Sequence, residues 1–156
     1  MVAAIFDRAD SVLCVIDVQQ VFLDKLEPGQ AGPLVSRIAW LIRAAGLLGV
    51  PVIAMAEDVT RNGPPVAAVR DALPEGTRIH DKQVFGLAGQ ADILAAVRDS
   101  GRKQAVLCGL ETDVCVAQSA IGLRAAGLTV GITADACGSP GPCHAAGLAR
   151  MRGAGV

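Results

Sequence analysis

Short apolar runs alternate along the chain with stretches of helical period. SVLCVID (11–17) is a run of apolar residues closing on an acid, the pattern of a strand buried on both faces of a parallel sheet. Residues 33–49, PLVSRIAWLIRAAGLLG, carry apolar side chains at helical spacing, with Pro33 suited to a first turn and Gly49 to the stop. PVIAMAE (51–57) predicts a second strand. The stretch 58–80 is richer in Pro, Gly and charge and reads as loop with a short helix near 66–72. Residues 90–100 predict a helix, KQAVLCG (103–109) a strand, and 112–126 a helix ending near Gly127. LTVGITAD (128–135) predicts another strand, followed by a Gly/Pro loop and a last helix over 143–152.

Strands that alternate with helices place the chain in the α/β class. The expected architecture is a Rossmann-like three-layer sandwich, a mainly parallel sheet covered on both faces by right-handed crossovers. In such sheets the ligand site lies beyond the carboxyl ends of the strands, where strand order reverses. The residues that follow strands therefore matter most. Asp17 ends the first run and Glu57 the second, Lys82 lies in IHDKQVF, Cys115 follows the 103–109 strand, and Asp135 ends the last one.

Cys115 has a chemistry of its own. Thr112 reads as an N-cap, which makes Asp113 the first helical residue and places Cys115 at about the third. The positive end of a helix favours thiolate there, and a nearby lysine lowers the thiol pKa further. A thiolate opens carbonyl groups, N–H groups at a helix start can hold the oxyanion, and a carboxylate in reach can carry the proton. Each residue alone has a plainer reading: core packing for a Val-flanked Cys, a turn for a strand-end Asp, a solvated charge for a Lys. Only their combination at successive strand ends points to a site.

Composition narrows the classes. The 156 residues are 52% hydrophobic and only 3% aromatic, with a net charge of −1, enough for one domain spanning 1–156 with a real core. With no basic cluster, a nucleic-acid partner is not expected. No apolar run reaches the roughly 18–20 residues of a membrane span, and MVAAIFDRADS lacks the layout of a signal peptide. Five cysteines, an odd number in apolar contexts, suit reduced thiols and a cytoplasmic protein. Cys137, Cys143 and His144 match no common zinc spacing, and His144 is expected to start the last helix and bond backbone. No dinucleotide fingerprint or phosphate-binding loop appears, so no cofactor is expected. Trp40, beside Ile38 and Leu41, reads as core or subunit interface.

Four strings, in order, resemble the isochorismatase-like cysteine hydrolases, a family that includes nicotinamidases and N-carbamoylsarcosine amidohydrolases. They are VIDVQQVF (15–22), DKQVFGL (81–87), GLETDVCVAQSA (109–120) and TADACGSPGPCH (133–144), with Ser119 where Thr is usual. The resemblance implies that Cys115 forms a thioester with substrate, Asp17 acts as base and then acid, and Lys82 stabilises the thiolate. It implies a cis peptide at Leu110–Glu111 and an oxyanion hole made by the N–H groups of Glu111 and Cys115. It places Phe22 and Phe85 near the site, and together with Gln19 they are the expected substrate-pocket residues. Gln19, two residues past Asp17, points to the same side in extended chain and is also read as an anchor for Asp17 or for the cis-peptide loop. Glu57 ranks below these, as a holder of Lys82 or of a loop.

Two departures sharpen the expected reaction. Nicotinamidases bind metal through histidines after the second strand, whereas AMAEDVTRNGPPVAAV (54–69) has none, so no metal site is expected. Relatives that hydrolyse the vinyl ether of isochorismate lack this cysteine, which favours C–N hydrolysis of a small-molecule amide. A third departure is that the family usually continues with a further strand and helix where this chain stops at Val156, which implies an open sheet edge unless a partner chain covers it. A homodimer or larger homo-oligomer is expected, as is common among relatives. The rival readings are an isochorismatase-type hydrolase of another substrate, a non-catalytic binding or scaffolding member, and a redox sensor acting through Cys115.

Overall fold

In the computed structural model, which describes residues 5–156, strands and helices alternate as the hydrophobic pattern requires. Strand β1 (Ser11–Ile16) leads through a short helix α1 (Gln20–Leu23) into the long helix α2 (Ala31–Leu47). Strand β2 (Val52–Glu57), two single-turn helices α3 (Val59–Asn62) and α4 (Ala67–Arg70), and strand β3 (Ile79–Lys82) follow. A 3-10 turn (Leu87–Gly89) precedes α5 (Ala91–Asp99) and β4 (Gln104–Leu110). A π-helical turn (Thr112–Val116) then runs into α6 (Ala117–Ala125), and β5 (Thr129–Gly138) and α7 (Cys143–Gly153) complete the order.

The five strands form one parallel sheet in the order β3-β2-β1-β4-β5. The chain steps outward from β1 in one direction through β2 and β3, then returns to the other side of β1 for β4. The reversal point is therefore the β1/β4 pair, and the loops after those two strands face each other there. Alternation along β1 sends Val12, Cys14 and Ile16 to one face and Leu13 and Val15 to the other. The first set packs with Ile93 and Val97 of α5, Leu123 of α6 and Met151 of α7. The second packs with Leu34, Ile38 and Ile42 of α2 and Val69 of α4. This is the three-layer sandwich expected from the pattern.

Three local expectations changed. Helix α2 begins at Ala31, two residues earlier than its pattern suggested, and Pro33 still falls in the first turn, where its missing N–H is harmless. Strand β5 runs past Asp135 to Gly138 because its register jumps. Leu107 pairs with Ile132, but Gly109 pairs with Cys137, so residues 133–136 bulge out of the ladder. Asp135 lies in that bulge and pairs with Arg37 of α2 at 3.0 Å. Third, of the two readings of Trp40 the core one falls, since it is 56% exposed with the Arg37 guanidinium 5.6 Å from its ring, and the interface reading stays open. Among the described residues no helix is long and apolar enough to cross a membrane.

One glycine is demanded by the reversal point. Gly109, paired with Ile16, has φ +127°, and a Cβ there would lie 1.9 Å from the Ile16 carbonyl oxygen. The two strands could not approach this closely with any side chain present. Gly109→Ala is expected to destabilise the fold by more than about 4 kcal/mol, among the largest single-residue effects. Urea unfolding of the variant checks this, and a loss under about 1 kcal/mol would show that the strands can separate without penalty.

Candidate active site

Five strand ends were singled out as chemistry-bearing, and the topology brings four of them together. Asp17 follows β1, Glu57 ends β2, Lys82 ends β3, and Cys115 follows β4 on the π-helical turn. Glu57 and Lys82 are register partners, which sets their backbones side by side. Asp135, in the β5 bulge, is the one that stays apart.

Lys82 is completely buried and so is Asp17. The Lys82 ammonium lies 2.9 Å from Asp17 Oδ2 and 3.6 Å from Cys115 Sγ. It also donates to the carbonyl oxygens of Val84 at 2.6 Å and Phe85 at 3.2 Å. The thiol, 4% exposed as a residue, points its sulfur 3.6 Å from Glu57 Oε2. Asp17 leaves its strand in the left-handed region, φ 51°, a conformation found more readily in Asp than in most residues. Its Oδ1 is buried and finds no hydrogen-bond donor among the described residues. That oxygen is free to take a proton.

The electrostatics correct one expectation. The helix start and a neighbouring lysine were expected to lower the Cys115 pKa. In the fold, burial first and the Asp17 carboxylate second raise it well above the ordinary thiol value, and Lys82 only partly opposes them. The resting site is an ion pair beside a neutral thiol. Burial also pushes the Asp17 carboxyl up to about 6, against the pull of Lys82. A carboxylate with that value is ionised at neutral pH yet basic enough to accept a proton.

The acceptor atoms of Asp17, Glu57 and Cys115 lie within 4.8 Å of one another, close enough to suggest an ion. The buried ammonium already supplies positive charge at that point. The two histidines are directed elsewhere: His80 Nδ1 lies 3.5 Å from Asp92, and His144 Nδ1 lies 2.9 Å from Thr112 Oγ1.

The turn that carries the thiol is braced from three sides. Thr112 does not cap the helix. It begins the π-helical turn, and its hydroxyl meets His144 of α7, which thus bonds a side chain rather than backbone. Ser139 donates to Asp113 at 2.7 Å. Gly147 of α7 packs so closely that a Cβ there would come 2.8 Å from the Asp113 nitrogen. The peptide Leu110–Glu111 is cis. The Glu111 side chain turns outward to Lys25 at 3.0 Å. Ser119 accepts from the Leu87 N–H at 3.0 Å, which fixes the segment after Lys82 against α6.

Gln19 has a different task from the one expected. Its buried amide accepts from Glu57 N–H at 2.8 Å and donates to the carbonyls of Glu57 at 2.8 Å and Gly63 at 2.7 Å. It holds the end of β2, not Asp17 or the cis-peptide loop, and, fully buried, it lines no substrate cavity among the described residues. Glu57 is thereby positioned beside the sulfur, a role that its strand-end location signalled but that sequence reasoning placed second. Phe85 is 57% exposed and walls a cavity of about 270 Å³ with Glu57, Gln83 and Val84. Phe22 is half-buried against the α2-side core, with Lys25 over its ring at 4.9 Å, and does not line that cavity. A larger cleft of about 580 Å³ runs between α2 and the end of β5, bordered by the bracing residues Ser139 and His144 but not by the thiol.

The description Isochorismatase domain matches residues 11–156 as a family. The secreted isochorismatase effector Isc1 of Phytophthora sojae is 32% identical over 132 residues, covering 83% of this chain and 62% of that protein. The chain therefore spans a little under two thirds of the length of that relative. The structure of MAR1 ribonuclease from Caenorhabditis elegans superposes with a TM-score of 0.89 at 26% identity, over 98% of this chain and 78% of that one. The YcaC gene product of Escherichia coli, described as an octameric hydrolase of unknown specificity, superposes with a TM-score of 0.87 at 26% identity, over 97% and 75%.

Two measurements test the electrostatics. Lys82→Met removes one partner of a buried ion pair, so it is expected to destabilise the protein by about 3–5 kcal/mol in urea unfolding. A neutral effect would mean that the ammonium is not holding a buried charge. The rate at which iodoacetamide alkylates Cys115 should fall as pH drops through about 6, because the thiol loses its proton acceptor when Asp17 is protonated. A flat rate from about pH 5 to about pH 8 would rule out that coupling.

Proposed function

The chain belongs to the isochorismatase family and carries its hydrolase fold, and from that premise we propose that it is a cysteine hydrolase of a small-molecule C–N bond, working through a thioester and without metal. One observation carries the reading: a buried thiol, a carboxylate with a free oxygen and an ammonium converge at the sheet's reversal point.

The proposed steps are these. Asp17 takes the thiol proton as Cys115 Sγ attacks the carbonyl carbon of the amide. The new C–S bond forms and the carbonyl electrons move to oxygen, which the N–H groups of Glu111 and Cys115 receive. The Lys82 ammonium keeps its proton throughout and offsets the charge gained at sulfur. Asp17, now neutral, returns the proton to the leaving nitrogen, the C–N bond breaks, and an amine or ammonia departs. Water then gives a proton to Asp17 and attacks the thioester, and the released sulfur recovers that proton. Acid and free thiol are the products.

The cavity of about 270 Å³ beside Glu57 suits a small substrate. The octameric state of YcaC, together with exposed Trp40, Leu47 and Leu48, supports a homo-oligomer. Five unpaired cysteines support a reducing compartment, the cytoplasm.

An ammonia-release screen over small amides, combined with intact-mass detection of a Cys115 acyl adduct, tests the proposal. Cys115→Ala is expected to lower kcat by at least about 1,000-fold, and Asp17→Asn by about 100- to 10,000-fold. A Cys115→Ala variant that retained full turnover would refute the thioester route.

A further inference from the structure

The chemistry above leaves one ionisable group beside the sulfur unused. Glu57 is half-buried, its carboxylate 3.6 Å from Cys115 Sγ, and it opens onto the cavity walled by Phe85 and Val84. No Lys, Arg or His nitrogen reaches ion-pair distance of it among the described residues. It is also held in place from behind. Gln19 grips both the N–H and the carbonyl of Glu57, and Asn62 donates to the same carbonyl at 3.1 Å. A carboxylate fixed this way beside a nucleophile, without a protein cation, is preorganised to receive one from a ligand.

The one cation of the site is not available to an anionic ligand. The Lys82 ammonium has three N–H bonds to give. The carbonyls of Val84 and Phe85 and the Cys115 sulfur already receive them, and the charge of the ammonium is paired with Asp17 Oδ2 at 2.9 Å. An anion entering the cavity would meet the Glu57 carboxylate and no cation, because the cavity wall is Glu57, Gln83, Val84 and Phe85 and the Asp17 carboxylate is buried away from it. A cation would meet the Glu57 carboxylate and the exposed ring of Phe85, whose face attracts positive charge.

We propose that Glu57 and Phe85 form a subsite for a flat cationic nitrogen group of the substrate, an amidinium or guanidinium, and that the site rejects carboxylates and phosphates. The inference rests on the hydrolase reading for the reaction and adds the charge of what is hydrolysed. It sets this chain apart from chemistry on dianions such as isochorismate and on a phosphodiester backbone. The aromatic wall selects flat groups, and the carboxylate selects their sign.

Three ligands of one shape and different charge separate the possibilities. Benzamidine, benzamide and benzoate are titrated by calorimetry into the full-length Cys115→Ala protein, in which turnover cannot intervene. Benzamidine is expected to bind about tenfold more tightly than benzamide, and benzoate more weakly than both. Glu57→Gln, in the same background, should bring benzamidine to the level of benzamide while leaving benzamide unchanged. Phe85→Leu should weaken both, benzamidine the more, because it also loses the attraction of its charge to the ring face. Benzoate binding as tightly as benzamidine, absence of benzamidine binding, or an unchanged benzamidine-to-benzamide ratio in Glu57→Gln would each overturn the subsite. The ligand order is independent of thiol chemistry. If it holds while the wild-type protein releases no ammonia from any amide, the hydrolase reading fails and the subsite stands.

Discussion

A buried ion pair organises this molecule. Asp17 and Lys82 sit 2.9 Å apart with neither exposed to water. Two such charges are expensive to desolvate, and removing either leaves the other stranded in a poorly polarisable interior. The surrounding structure is arranged so that neither is stranded. Val84 and Phe85 turn their carbonyls onto the ammonium, and Ser119 pins the segment that carries them. What the pair gives in return is a carboxylate that burial lifts to about 6 and a fixed positive charge within 3.6 Å of a sulfur.

The same pair makes a neutral thiol compatible with the proposed nucleophilic chemistry. A thiolate already formed at rest would sit close to the Asp17 and Glu57 carboxylates, and that repulsion adds to the penalty of burial. Proton transfer from sulfur to Asp17 moves the negative charge without changing the total. The ammonium faces one anion before the transfer and one after it. Glu57 is the unbalanced charge in this account, and a substrate cation would balance it.

The backbone supports this by fixing where the two halves of the sheet meet. β1 and β4 approach closely because Gly109 has no side chain, and the loops that follow these strands carry Asp17 and Cys115. Helix α7 presses Gly147 and His144 onto the thiol turn from the opposite side. The sulfur is thus placed by contacts from β4, α6 and α7 together, the rigid setting that the proposed attack on a carbonyl carbon would require.

Much of the architecture was legible in the chain itself. Apolar runs ending in acids fixed β1 and β2, and helical spacing fixed α2, α5, α6 and α7, because burial of one face leaves a period in the sequence. Asp17, Lys82 and Cys115 were visible as strand-end residues within recognisable strings. What the chain alone did not reveal depends on distance in space. The raised thiol pKa follows from burial and from the Asp17 charge, neither of which can be read from a helix-start position. Thr112 looks like a cap in one dimension, yet its hydroxyl is claimed by His144, 32 residues on. Gln19 looked like a neighbour of Asp17 because extended chains repeat every second residue, but its amide reaches across to Glu57 and Gly63. Local pattern determined which elements form and which reactive groups they carry. Only the packing of those elements decided which groups touch, and it is contact in a water-poor interior that sets their charge.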